Sequence, residues 1–179
     1  MDISSLRKYI DEIDDQIIRL INKRFDIVGI VKDYKNKKYG DEFLYLNEER
    51  EVAILKRVCS KFADLNLDPS MAYGIWRNII SAANRFEQKD LTICYSSSIS
   101  NRALQIIQKE YPNTLIHRNY NDIKEINISS NTIICIEFDC VDNGNSDDLE
   151  VDNSFSCYRK IKSHDSKNLY VGFFGKIIK

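Results

Sequence analysis

The sequence contains little that would commit it to nucleic acid, a membrane, a metal or covalent catalysis. Basic and acidic residues nearly cancel, 26 against 27, so composition gives no argument for nucleic acid or an anionic bilayer surface. No apolar run approaches the roughly 20 residues needed to span a membrane. The first residues, with Asp2 and Asp11, hold no signal-peptide core. Histidine is scarce, His117 and His164 alone. The five cysteines (Cys59, Cys94, Cys135, Cys140, Cys157) are an odd number without metal-ligand spacing, and only Cys135 and Cys140 lie close together. They read as reduced thiols, small buried hydrophobes in a cytoplasmic protein without a metal site. At 179 residues the chain can form one large domain or two small ones.

What is present is concentrated in Ile3 to Lys35. Apolar residues fall at Ile3, Leu6, Ile10, Ile13, Ile17, Leu20, Ile21, Ile27, Val28 and Val31, and only Gly29 interrupts the helix-forming pattern. Spacings of three and four kept over many turns mark an amphipathic helix, roughly 50 Å long at ~1.5 Å per residue. A helix of that length with an apolar seam packs against a partner helix, often a copy of itself. Arg24 takes a seam position where the repeat expects a hydrophobe. A cation there is costly unless something anionic meets it. Arg24 and Lys35 return to within about 20° of one face, whereas Arg7 points roughly 80–100° away. Arg7 is therefore not expected to serve the same pocket within one chain, although it could serve that of a second chain.

The helix should end near Lys35–Lys38, with Gly40 as its stop. Residues 40–46 read as a linker. Asn47 caps a second helix carrying Val52, Leu55, Val58 and Phe62. Asp68-Pro69 opens a third, with Met71, Ile75, Trp76, Ile79, Ile80, Ala83 and Phe86, running to about Glu87. At Lys89 the pattern changes. Residues 91–97, the TLIHRNY stretch and residues 131–138 read as strands, and a helix capped by Ser98 or Ser100 follows the first of them. Residues 139–153 read as a mobile acidic loop, and SFSCYRKIKS with NLYVGFFGKII as a hairpin across Ser163–Lys167. The expected fold is α+β: an all-α three-helix domain over 1–88, then a small α/β domain over 89–179. There is no internal repeat.

The helical half places four cations (Arg7, Arg24, Lys35, Arg50), the carboxylate Glu51 beside them, and Glu87 on the third helix. It has no histidine, which argues against Ser-His or Cys-His catalysis. Four cations around a helical pocket suit a small dianion, which Arg grips in a bidentate fork. Such a site can catalyse a reaction needing only positioning and electrostatics. Taken singly, Arg7 and Arg50 would read as solvated surface, Lys35 as a helix C-terminal cation, and Trp76 as core or dimer interface. Their joint spacing points to a site.

That spacing resembles the all-helical chorismate mutases over about residues 5–88. The residues that carry the likeness are Leu6-Arg7, Ile10-Asp11, Ile13-Asp14, Ile17-Ile18, Leu20-Ile21 and Arg24, then Lys35, the pair Arg50-Glu51, and Trp76-Arg77-Asn78-Ile79-Ile80. The resemblance implies an intertwined homodimer of three-helix protomers with the long first helices paired. It implies that Arg7 reaches the partner's site, that Arg24 grips a substrate carboxylate, and that Lys35 bonds a carboxylate and the ether oxygen. Arg50 belongs to the polar site and Glu51 accepts from the ring hydroxyl. The reaction implied is chorismate to prephenate, in phenylalanine and tyrosine biosynthesis, without cofactor or metal.

Three positions depart from the commonest pattern. Asn47 stands where many members have Asp, Ala83 where many have Ser, and Glu87 where many have a Gln that donates to the ether oxygen. A carboxyl donates only when protonated, so Glu87 is expected to work protonated, with activity falling as pH rises. A one-residue shift would put Gln88 in that role. The junction at Glu87–Ile93 looks like the one in mutases fused to prephenate dehydratase. The likeness stops there: the three threonines are each followed by Ile or Leu, and residues 91–130 contain no Gly. The second half is expected to lack dehydratase activity. It would bind an aromatic amino acid, steady the dimer, dock on another pathway enzyme, or cap the fold. The competing functions are a pericyclic lyase acting on isochorismate and a non-catalytic dimeric metabolite-sensing module.

Overall fold

The computed structural model describes residues 2–40, 46–114, 116–121, 132–139, 156–162 and 169–175. They fall into two units, divided after Gly40.

The first unit is a single helix, α1 (Ile3–Tyr39). Asp2 caps it, its side chain accepting from Ser5 N at 2.7 Å. Backbone and side-chain hydrogen bonds from Ser5 hold the Asp2 carboxyl below its ordinary range. The helix stops at Gly40, whose N–H reaches Asn36 O at 2.9 Å with φ at +79°. Any side chain would be strained in that left-handed conformation. Lys37 and Lys38 sit in the last turn, where the helix dipole favours cations. No residue of α1 is buried. Ile3, Leu6, Ile10, Ile13, Ile17, Leu20, Ile27 and Val31 are 40–66% exposed. With Arg24 in step, these positions alternate intervals of three and four, a heptad seam along the helix.

In the second unit α2 (Glu48–Asp64) and α3 (Pro69–Glu87) pack against each other. Asn47 Oδ1 accepts from Arg50 N at 2.9 Å, and Glu48, Glu49 and Glu51 fill the first turn of α2 where the dipole favours them. Asp68 accepts from Ser70 N at 2.8 Å, with Pro69 at the first helical position. Leu55 and Val58 from α2 and Ala72, Ile80 and Ala83 from α3 are buried. Phe62 and Trp76 meet edge-to-face at 6.0 Å.

The chain then builds a five-stranded sheet from β1 (Thr92–Ser96), β2 (Ile116–Tyr120), β3 (Thr132–Asp139), β4 (Ser156–Lys162) and β5 (Leu169–Gly175), in the order β2-β1-β3-β5-β4. β1 runs parallel to both β2 and β3, and helix α4 (Asn101–Glu110) makes the crossover from β1 to β2 that parallel strands require. β5 lies antiparallel between β3 and β4. Ser100 caps α4, its hydroxyl accepting from Ala103 N at 3.1 Å. Ala103, Ile107 and Tyr111 share one core with Leu91, Ile93, Ile133, Cys135, Val171 and Phe173. The fold is α+β, and each strand-like stretch of the sequence holds a strand among the described residues. The expected mobile loop lies outside the described residues apart from Asp139, which ends β3. The hairpin turn lies outside them too, although its two strands pair.

Candidate active site

The candidate residues fall on both units. On α1, Arg7 is exposed, while Arg24 and Lys35 are half-buried. An uninterrupted helix carries all three, so their separations follow from its rise. Arg24 and Lys35 lie about 16 Å apart along the axis and on one face, while Arg7 lies about 26 Å before Arg24 and off that face.

In the second unit, Asn47, Arg50 and Glu51 come together at the start of α2 through the cap just described. Asn47 and Arg50 are exposed, and Glu51 is buried. Ala83 and Glu87 are one turn apart near the end of α3, within about 40° of one face. Ala83 is buried and Glu87 half-buried. Gln88 is the C-cap of α3, buried, with its N–H donating to Asn84 O at 2.9 Å.

Glu51 is held at both carboxylate oxygens. Its Oε2 accepts from Arg77 Nη1 at 2.7 Å and its Oε1 from Asn84 Nδ2 at 2.9 Å. Arg77 is 1% exposed. Burial, the largest single influence, works against its charge. The neighbouring Glu51, with Glu110 and Tyr111, more than offsets this and holds the guanidinium above its ordinary range. Arg77 Nε donates to the main-chain oxygen of Glu110 at 2.8 Å. Sequence reasoning recorded Arg77 only as part of the Trp76–Ile80 pattern and missed Asn84 and Glu110. Arg77 falls in a gap of the apolar pattern, between Trp76 and Ile79, so no break in the repeat marks it as the Arg24 position is marked.

The described thiols are not poised for nucleophilic work. Cys59 donates to Pro69 O at 3.4 Å. Burial pushes the Cys135 thiol far up, and it raises Cys94 against the opposing influence of Arg118 and Tyr120. A cavity of about 350 Å³ opens where the C-terminal ends of β1 and β3 meet the turn into α4, lined by Ser96, Ser98, Ile99, Cys135, Ile136 and Glu137. It includes none of the candidate residues. No helix among the described residues is long and apolar enough to cross a membrane.

The cation set on α1, the capped Arg50-Glu51 start of α2 and the end of α3 all lie within one matched stretch. Residues 6–88 match the family model described as chorismate mutase type II. No curated protein and no solved structure matches the chain.

Proposed function

We propose that residues 6–88, which match the family model described as chorismate mutase type II, form a mutase domain, and that the protein rearranges chorismate to prephenate for phenylalanine and tyrosine biosynthesis, as a cytoplasmic homodimer. The match over 6–88 is the observation that carries this reading.

In this reading the reaction is one concerted step. The ether C–O bond breaks as a C–C bond forms, and no group is transferred to the protein. The work of the site is then to hold the compact conformer and to stabilise negative charge growing on the ether oxygen. Arg24 binds a substrate carboxylate. Lys35 bonds the second carboxylate and the ether oxygen. Arg50 adds positive charge, with Asn47 at the head of its helix. Glu51 accepts from the ring hydroxyl. Glu87 donates to the ether oxygen when neutral, and Ala83 lines the site beside it.

The homodimer forms through α1. Its exposed seam of Ile, Leu and Val supports this, because an apolar stripe of that length is stable in water only when covered. The a-type positions hold Ile3, Ile10, Ile17 and Val31, and the d-type positions Leu6, Ile13, Leu20 and Ile27, a seam that is apolar throughout except at Arg24. The partner's α1 then brings its Arg7 to each site. The sheet domain is proposed to receive an aromatic amino acid effector or another enzyme of the pathway.

The test is the loss of chorismate absorbance with purified protein at pH 5 and pH 8, with Lys35→Ala as control. Turnover abolished by the substitution is the expected result. No turnover by the unaltered protein at either pH overturns the reading.

A further inference from the structure

This inference rests on the reading above and concerns how Glu51 is held. Arg77 is the bulkiest fully buried side chain among the described residues, yet the rearrangement gives it no charge of its own to meet. It is stretched between two helices. One end of the guanidinium grips Glu51 on α2 at 2.7 Å. The other donates to the main-chain oxygen of Glu110 at 2.8 Å and lies 3.7 Å from that residue's carboxylate. Glu110 is the last residue of α4. Its carbonyl is among the four that a helix leaves without an internal partner, and the negative end of the dipole favours a cation there. Tyr73 Oη steadies Glu110 by donating to its Oε1 at 2.6 Å, and the Tyr111 ring lies 5.7 Å from the guanidinium carbon. The turn after α4 is tied to α3 three times more. Asn113 N donates to Ser81 Oγ at 3.2 Å, Asn113 Nδ2 donates to Asn78 O at 2.9 Å, and Arg85 Nη1 donates to Asn113 O at 3.5 Å.

We infer that Arg77 is a positioning residue for Glu51, and that α4 of the sheet domain, through Glu110, sets where Arg77 can hold it. Two donors, one on each carboxylate oxygen, fix the plane of the Glu51 carboxylate. Glu110 lies beyond the stretch matched to the mutase family, so the sheet domain is a working part of the site rather than an appendage.

The experiment is a double-mutant cycle read in kcat and KM for chorismate, on the full chain, with the folded fraction checked by circular dichroism. The variants are Arg77→Met, Arg77→Lys, Glu110→Gln and Glu51→Gln, with each of the first three also combined with Glu51→Gln. Arg77→Met should lower kcat/KM about 10²-fold, the scale of a misplaced catalytic contact. Arg77→Lys keeps the charge but loses the two-ended fork and should cost about tenfold. Glu110→Gln should cost severalfold. In the Glu51→Gln background each of these losses should shrink to less than about twofold, since no carboxylate is left to position. Equal losses in both backgrounds, at matched folded fraction, overturn the inference and leave Arg77 a structural residue. Should Arg77→Met fail to fold, the Arg77→Lys and Glu110→Gln cycles decide in the same way. An inactive unaltered protein removes the underlying reading and this inference with it, whereas an active one with additive losses removes the inference alone.

Discussion

Mixing Arg7→Ala protein with Arg24→Ala protein should restore turnover that neither has alone. The reasoning starts from α1, one uninterrupted helix from Ile3 to Tyr39. Seventeen residues separate the two arginines, which is about 26 Å of rise and a turn of roughly 100°. An arginine side chain reaches roughly 7 Å from its Cα, on ordinary bond lengths. Two such side chains cannot close on one small dianion across that distance. Arg24 and Lys35, about 16 Å apart on one face, can hold a ligand between them. Each single substitution should cost about 10²–10³-fold in kcat, the scale for removing one donor to developing charge. After random exchange of subunits, half the dimers carry one chain of each kind, and one of their two sites is intact. The mixture should therefore recover about a quarter of the unaltered activity. Two affinity tags isolate the mixed dimer, and chorismate absorbance reads the rate. A doubly tagged dimer no more active than its parents would refute the placement of Arg7 in the partner's site. So would a fully active Arg7→Ala protein.

Three further outcomes follow. Ile17 is 48% exposed, so covering the rest of it is worth about 2 kcal/mol per chain, and twice that across a two-fold interface. Ile17→Asp should weaken the dimer about 10³-fold or more, and an unchanged mass by light scattering at micromolar concentration contradicts this. Glu87→Ala removes the proposed donor to the ether oxygen and should cost about 10²-fold in kcat, whereas Glu87→Gln keeps a donor there and should retain turnover. An unchanged kcat in Glu87→Ala sinks the assignment. Asp68 is held below its ordinary 3.8 by side-chain and then backbone hydrogen bonds from Ser70. Its contribution is complete above that value and is lost as pH falls through the lower, folded-state one. Asp68→Ala should lower Tm at neutral pH, with the difference between the two proteins vanishing in strong acid; a constant difference contradicts the capping role.

Local chemistry was readable from the residues themselves. Asp2, Asn47, Asp68 and Ser100 each cap the helix that follows, because a short polar side chain before a periodic segment acts within three residues of itself. Gly40 stops α1 for an equally local reason. The strands were legible from their apolar runs, but their order was not: nothing near Leu169–Gly175 shows that it enters between β3 and β4. Arg24 and Lys35 could be placed on one face because a helix fixes angles from spacing alone. The hold on Glu51 could not be read, since its partners lie 26 and 33 residues further along. Arg77 meets Glu110 only once α4 has packed on α3.

The position of β5 also constrains how the sheet can be made. β4 precedes β5 in the chain, yet β5 is its neighbour in the sheet and stands between it and β3. During synthesis β1, α4, β2 and β3 can assemble first. Until Leu169–Gly175 has emerged, the β3 edge carrying Ile134 and Ile136 has no strand to pair with, and the core lacks Val171 and Phe173. An open apolar edge of this kind is where chains join to one another. The nascent sheet is therefore exposed to misassembly for as long as ribosomes need to translate from Asp139 to Gly175, and slowed elongation over that stretch should raise the aggregated fraction without changing a single residue.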